Sequence, residues 1–340
     1  MVECVLVKPS DAGRAIRELR KRGLLEEGFK TLKTNYGVLV PVRSGTEAAK
    51  VLSEVGIEAS ECRAEFPSRH RRPRSLKEAG IEGVSGYHIV GDIAVFSRRL
   101  GGPPLEEYER AARVLVEEHS RLRSVWLKEV TEGEFRVQRL IHLAGEKRTW
   151  TIHKEFGLEF EVDIARVYFN PRLGGEHRRI AEETGNEELV LDMFSGVGGF
   201  SIHISHLKRA RVVASDINPA AVYYAARNVA RNRRRLKGEV AVVWADASTL
   251  PSVMREGVFD RIVMNHPTAS KWFAWAACRL ARKGAIIHYY TLTLSCLEAV
   301  DEAISAFSRC CEPEPLECRE VLDYAPGVGI YRVNLKVSRR

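Results

Sequence analysis

Asp192 closes an apolar run, "ELVLDMF", and is followed by Phe194 and the small-residue turn Gly196-Val197-Gly198-Gly199. Small residues let a ligand approach backbone N–H groups with no Cβ in the way. Asp216 ends the next apolar run, twenty residues after Gly196, where a carboxylate can take both hydroxyls of a ribose. Asp246 ends the third run, within reach of an adenine's exocyclic amine. Ile217 and Asn218 follow the second acid and Ala247 the third, so they belong to the same expected cofactor surface. A dinucleotide fingerprint, G-x-G-x-x-G, would need a third glycine at position 201, where Ser201 stands. The Asp192 carboxylate also repels a pyrophosphate and suits a cationic sulfonium that carries an ammonium group. The constellation favours S-adenosyl-L-methionine as cofactor; a glycine turn in a non-binding α/β domain is the blander alternative.

A second signal is "IVMNHPTASKWF", where an apolar run stops at Asn265-His266-Pro267. This is either a plain turn or a shaped loop that holds a planar nitrogenous ring, with Pro267 stiffening it. The elements that must position these residues alternate between short apolar strands and helical segments from about residue 173 onward. Such alternation predicts an α/β fold, a parallel sheet with helices on both faces of the Rossmann-like kind. Upstream, residues 1–64 alternate strand-like and helix-like segments and predict a small α+β module. A polar, proline-containing linker spans 65–80, and a strand-rich middle α+β domain with one helix spans 81–172. The catalytic domain is then 173–340.

Composition bounds the rest. The 340 residues, 45% hydrophobic and 29% charged, suit a protein of two or three domains with sizeable cores. No apolar run is long enough to span a membrane, and the N-terminus reads as a first strand and helix instead of a signal peptide. Seven cysteines are scattered without a C-x-x-C pair or matching histidine spacing, which predicts a reduced, cytosolic protein with no metal site. The net charge of +8 and the basic runs "RHRRPR" and "RNRRRLK" would suit a thermophile's arginine-rich surface and lean only slightly to a nucleic-acid partner.

Long motifs in order, "GEFRVQRLIHLAGEKRTWTIHKE", "VDIARVYFNPRLGGEHRRI", "DMFSGVGGFSI", "SDINPAA", "MNHP" and "IIHYYT", resemble the archaeal and eukaryotic Trm5-type tRNA (guanine37-N1)-methyltransferases. The resemblance runs from about residue 80 to the C-terminus, and the wider group includes a wybutosine enzyme that transfers the aminocarboxypropyl group of the same cofactor. It implies a class I methyltransferase domain, a tRNA partner gripped at anticodon loop and outer corner, and a monomer. It implies Glu176 as general base, Arg136 as the cation at guanine O6, and Asn265 and Pro267 in the target pocket. Tyr168 and His177 are implied as further cofactor contacts. From the residues alone, Glu176 could simply pair with Arg178 or Arg179, and Arg136 could be an exposed strand charge. His266 stands where the family usually has Leu, and is expected to be packed or surface-facing. Asn265 with Pro267 favours methyl transfer, while the tail "YAPGVGIYRVNLKV" is closer to the aminocarboxypropyl branch. A tRNA-binding protein without catalysis is the rival of another class. The cluster "WFAWAA" is expected to be the buried stripe of a helix.

Overall fold

The structure, a computed structural model, describes residues 1–66, 76, 81, 83–84, 86–98, 101–132, 137–325 and 327–339. The chain falls into two compact units, Met1–Glu78 and Ala79–Arg340. In the first, β1 (Val2–Val7), α1 (Ala12–Lys21), β2 (Leu32–Thr34), β3 (Gly37–Pro41), α2 (Gly45–Glu54) and β4 (Ala59–Ala64) build an antiparallel sheet of order β2-β3-β1-β4. Period-two apolar residues, Val5 and Val7 on β1 and Val38 and Val40 on β3, meet Ala15, Leu19, Ala48 and Leu52 of the two helices in one core.

The second unit begins with β5 (Tyr87–Val90), β6 (Ile93–Ser97), α3 (Leu105–Glu118), β7 (Ser124–Glu132) and β8 (Val137–Gly145), a sheet of order β5-β6-β7-β8. A hairpin, β9 (Trp150–Glu155) and β10 (Leu158–Asp163), leads to α4 (Gly174–Glu183). Then β11 (Leu189–Asp192), α5 (Gly199–Leu207), β12 (Arg211–Asp216), α6 (Pro219–Asn232), β13 (Glu239–Trp244), α7 (Leu250–Val253), β14 (Phe259–Met264), α8 (Ala274–Leu280), β15 (Ala281–Thr293), α9 (Cys296–Phe307), β16 (Cys311–Ala325) and β17 (Val328–Arg339) complete the chain.

Their seven-stranded sheet has the order β13-β12-β11-β14-β15-β17-β16, parallel from β13 to β15 and antiparallel where β17 joins. The strand order reverses between β11 and β14, which opens a crevice beyond their carboxyl ends where open α/β sheets bind ligands.

The hairpin welds the middle region to this sheet. Leu158, Phe160 and Val162 share a buried cluster with Val90, Ile93 and Val95 on one side and Val197, Ala221 and Tyr224 on the other. Residues 81–172 therefore belong to the same compact unit as 173–340. The outer edge of β10 is completed by side chains: Asn228 and Asn232 of α6 accept from Glu161 N–H at 2.7 Å and Glu159 N–H at 3.0 Å. Their amide nitrogens donate back to the carbonyls of the same two residues at 3.1 and 2.7 Å.

The expectation of a reduced protein needs correction. Disulfides join Cys4 to Cys62, Cys278 to Cys310 and Cys296 to Cys318. Partners lie 58, 32 and 22 residues apart in sequence, so only tertiary structure brings them together. Cys4 and Cys62 are register partners on β1 and β4, with Cα atoms 4.8 Å apart. Among the described residues, no helix is long and apolar enough to cross a membrane.

Candidate active site

A cavity of about 680 Å³ lies at the carboxyl ends of β11, β12, β13 and β14, a size typical of small-ligand sites. Its wall includes Tyr168, Phe194, Gly196, Asp216, Ile217, Asn218, Asp246, Ala247 and Asn265. A small adjoining pocket of about 60 Å³ is lined by Tyr168, His177, Phe194, Gly196, Val197 and Asn265 among others. A larger hollow of about 780 Å³, with Arg121, Arg123, Arg148 and Trp150 in its wall, shares no residue with the first and holds none of the strand-end acids.

The glycine turn has a conformational reason. Gly198, at φ 92°, caps α5 in the left-handed region, where a Cβ is strained. The Asp216 carboxylate is shaped by this turn: Gly196 N–H donates to Oδ2 at 2.8 Å and Asn218 N–H to Oδ1 at 2.9 Å. A carboxylate has about four acceptor sites, so two stay open for a ribose diol. Burial raises the Asp216 pKa against those backbone hydrogen bonds. Asn218 caps α6, accepting from Ala220 N–H at 2.9 Å, and donates to the Arg166 carbonyl at 2.9 Å. Asp246 accepts from Ser248 N–H at 2.8 Å.

Asp192 ends β11, fully buried and lining neither space, with Ser201 Oγ donating to its Oδ2 at 2.7 Å. Burial, with the Asp216 charge adding to it, pushes its pKa up to about 6. Its Oδ1 is buried with no hydrogen-bond partner. A buried acceptor of this kind costs free energy until a donor reaches it, and an ammonium group is such a donor. The residues present therefore fit a cofactor with a ribose, a planar ring and a cationic amino-acid end.

The loop after β14 is a shaped one. Ser270 Oγ donates to the Met264 carbonyl at 2.7 Å, and Ala269 and Ser270 N–H donate to the His266 carbonyl at 2.9 and 2.8 Å. Asn265 and His266 thereby face the cavity, while Pro267 lines neither space. His266 packs edge-on against Phe194, with ring centroids 5.3 Å apart. The "WFAWAA" expectation fails in part: Trp272 is 69% exposed and sits with Phe273 in the cavity wall, and Trp275 is 42% exposed. A 3-10 turn, Ser270–Phe273, precedes α8, and its tighter winding takes Trp272 out of register with the helix's buried face. Lys271 Nζ lies 5.3 Å from the Trp272 ring centre.

Glu176 lines neither cavity. It is buried on α4, where Tyr290 Oη and Arg332 Nη1 donate to its Oε1 at 2.9 and 3.0 Å. The half-exposed Arg179 stands 3.5 Å from its Oε2, whereas Arg178 pairs with Glu182. Arg332 is fully buried and also bonds Glu183 at 3.1 Å and Glu317 at 2.8 Å. His177 turns its Nδ1 to Glu155, 2.9 Å away, instead of to the main cavity. Burial raises the Glu155 pKa, but the bonds to His177 and His203 outweigh it and hold the value lowered to about 2. Arg136 and the run Arg69 to Arg74 lie outside the described residues. In the other basic run, Arg231 pairs with Glu161 at 3.2 Å, while Arg233, Arg234 and Arg235 stay exposed.

Sequence reasoning missed Lys128, Met193, Thr268, Ala269 and Tyr324 in the cavity wall. It also missed Arg332 as partner of Glu176. Met193 stands in "DMFSGVGGFSI", Thr268 and Ala269 in "IVMNHPTASKWF", Tyr290 in "IIHYYT", and Tyr324 and Arg332 in "YAPGVGIYRVNLKV", so those motifs were the available signal.

Sheet order, glycine turn and strand-end acids define a class I, Rossmann-like methyltransferase fold. The TRM5/TYW2 methyltransferase domain matches residues 151–337. The chain is 31% identical to the tRNA (guanine(37)-N(1))-methyltransferase Trm5b of Methanocaldococcus jannaschii over 99% of both chains. It is 28% identical to the tRNA(Phe) (4-demethylwyosine(37)-C(7)) aminocarboxypropyltransferase of Pyrococcus horikoshii, covering 74% of this chain and 88% of that one. The solved complex of aTrm5 and tRNALeu superposes with a TM-score of 0.80 at 29% identity, covering 98% of this chain and 99% of that one. The chain belongs to the TRM5/TYW2 methyltransferase family.

Proposed function

We propose that this chain is a tRNA (guanine37-N1)-methyltransferase that uses S-adenosylmethionine. The observation that carries this reading is one cavity that holds the strand-end acids Asp216 and Asp246 together with the Asn265 loop and the exposed Trp272. The cofactor supplies an electrophilic methyl group on a sulfonium. Around it, Asp192 takes the ammonium end, Asp216 the ribose and Asp246 the adenine amine. Ile217, Ala247 and Phe194 give apolar contact.

Guanine N1 carries a proton and is no nucleophile until that proton leaves, whereupon charge grows on O6. A base and a cationic donor are required. Glu176 serves as the base, its Oε1 held by Tyr290 and Arg332 and its Oε2 turned to Arg179. Arg136 serves as the O6 donor. Asn265 orients the flipped guanine, and Trp272 offers a face for stacking.

The N-terminal module, residues 1–64, reads the outer corner of the tRNA, and the middle and catalytic regions hold its anticodon loop. The enzyme works as a monomer in the cytoplasm, where its tRNA is. Disulfides inside cells are a feature of hyperthermophile proteins.

Aminocarboxypropyl transfer is the second reading, favoured by the C-terminal "YAPGVGIYRVNLKV" and by Tyr324 in the cavity wall. The test uses S-adenosylmethionine labelled separately on its methyl and aminocarboxypropyl carbons, with tRNA transcripts carrying guanosine or adenosine at position 37. Methyl label in the guanosine transcript alone is expected. Aminocarboxypropyl label in a tricyclic-base tRNA, without methyl transfer, would move the chain to the other branch. No label in either leaves a binding protein.

A further inference from the structure

A carboxylate and two imidazoles meet behind the glycine turn. Glu155 ends β9, His177 lies in the first turn of α4 and His203 in the middle of α5, so three separate elements converge. His177 Nδ1 is 2.9 Å and His203 Nε2 3.1 Å from the same oxygen, Glu155 Oε2. The three residues can offer donor atoms that all lie within 4.8 Å of one another. Each side chain is at least nine-tenths buried, with residue exposures of 5%, 5% and 1%. No sequence spacing announced this group, because its members sit 22 and 26 residues apart.

Two hydrogen bonds to one oxygen leave the other in want of a partner. Glu155 Oε1 is buried with no hydrogen bond, and His153 Nε2 stands 3.8 Å off, beyond hydrogen-bond reach. The Nδ1 of His153 accepts from Gly91 N–H at 3.2 Å, which leaves the proton of a neutral ring on Nε2. His153 thus leaves Oε1 without a hydrogen bond and, with its Nε2 protonated, is not a ligand.

The surroundings keep the group tight and dry. A Cβ on Gly174 would come within 3.1 Å of the Glu155 carboxyl carbon, and one on Gly199 within 2.5 Å of the His177 ring. Phe160 stacks on His203 at 5.9 Å between centroids, and Phe200 meets His177 edge-on at 4.6 Å. Tetrahedral zinc, with nitrogen and oxygen ligands near 2.0–2.2 Å, needs donors roughly 3.3 Å apart. The two carboxylate–imidazole distances need to open by only a few tenths of an ångström, and the two imidazole donors lie within 4.8 Å of each other.

We propose that Glu155, His177 and His203 form a binding site for a divalent transition metal, with zinc as its occupant. Two imidazoles and a carboxylate select such an ion over magnesium or calcium, which prefer all-oxygen sites. A water supplies the fourth ligand, since the two oxygens of one carboxylate lie too close together to take two corners of a tetrahedron. The ion clamps the β9–β10 hairpin to α4, which carries Glu176, and to α5, which follows the cofactor turn.

The test uses the full-length chain without an affinity tag, under non-reducing conditions so that Cys278 and Cys310 stay bonded to each other. After chelator treatment and desalting, cobalt(II) alone is titrated, then zinc(II) alone. The expected result is stoichiometric cobalt with the visible bands of a tetrahedral ion, displacement by zinc, and a raised melting temperature. Glu155→Gln and His203→Ala should lose the bands and the thermal shift; His206→Ala, on the same helix outside the group, should keep both. No stoichiometric binding by the parent would overturn the proposal, as would unchanged bands in both variants. Should the variants not fold, zinc X-ray absorption of the parent decides. Nitrogen and oxygen neighbours support the site, and sulfur neighbours, from Cys278, Cys310 and Cys311, overturn it.

Discussion

At the residue scale, the proposed base is a carboxylate tied down on one side. Glu176 Oε1 accepts from Tyr290 and from Arg332, a guanidinium with no exposed surface. A general base contributes about 100- to 10,000-fold. Glu176→Gln should therefore lower kcat by that order while calorimetry finds S-adenosylmethionine binding unchanged; an unchanged kcat would remove Glu176 from the chemistry. Arg332 Nη1 holds Glu176 Oε1 at 3.0 Å, and breaking a buried pair costs about 3–5 kcal/mol. Arg332→Met should therefore lower the melting temperature, with Arg332→Lys lowering it less, and an unchanged midpoint in both would mean that Arg332 only fills space.

At the element scale, β10 is an edge strand whose ladder is completed by amides from a helix. Both asparagines are fully buried and satisfy N–H and C=O groups of Glu159 and Glu161. Each orphaned buried group costs about 1–3 kcal/mol. Asn228→Ala and Asn232→Ala each orphan two such groups and should each lower stability by roughly 2–6 kcal/mol in denaturant titrations; a change within error would show that solvent substitutes freely. On β5, burial pushes His88 down to about 4, with the charges of Lys128 and Arg172 adding to it. A depressed histidine means that the unfolded chain binds its proton first. Stability is thus unaffected above pH 6.5 and falls as pH drops from 6.5 toward 4, by up to about 3 kcal/mol. His88→Gln should flatten the slope of denaturation midpoint against pH in that window and leave the midpoint's slope above pH 7 alone.

At the scale of the whole molecule, the N-terminal unit carries its own core and its own staple. The Cys4–Cys62 bridge closes a loop of 58 residues, and the chain-entropy account assigns such a loop roughly 4 kcal/mol. Reduction, or the double change Cys4→Ser with Cys62→Ser, should lower the unit's melting temperature in calorimetry. An unchanged transition would mean that the sheet holds the unit without the bond.

What the sequence determined by itself is local in origin. A parallel strand buried on both faces reads as an apolar run, and its end is marked by the acid or turn that follows. The ends of these runs, Asp216, Asp246 and Asn265, could therefore be read from the sequence, and the structure sets all three in the wall of one cavity, while Asp192 stays buried outside it. The glycine turn from Gly196 to Gly199 was legible for the same reason, whereas the left-handed backbone at Gly198 came from the structure. The tertiary structure alone decided the rest. Arg332 reaches Glu176 across 156 residues of sequence, and strand register alone sets Cys4 against Cys62. One 3-10 turn sends Trp272 to the cavity wall instead of the core. The meeting of Glu155 with His177 and His203 depends on how a hairpin packs against two helices. Such contacts are set by the global packing of apolar faces, and no spacing within a single element encodes them.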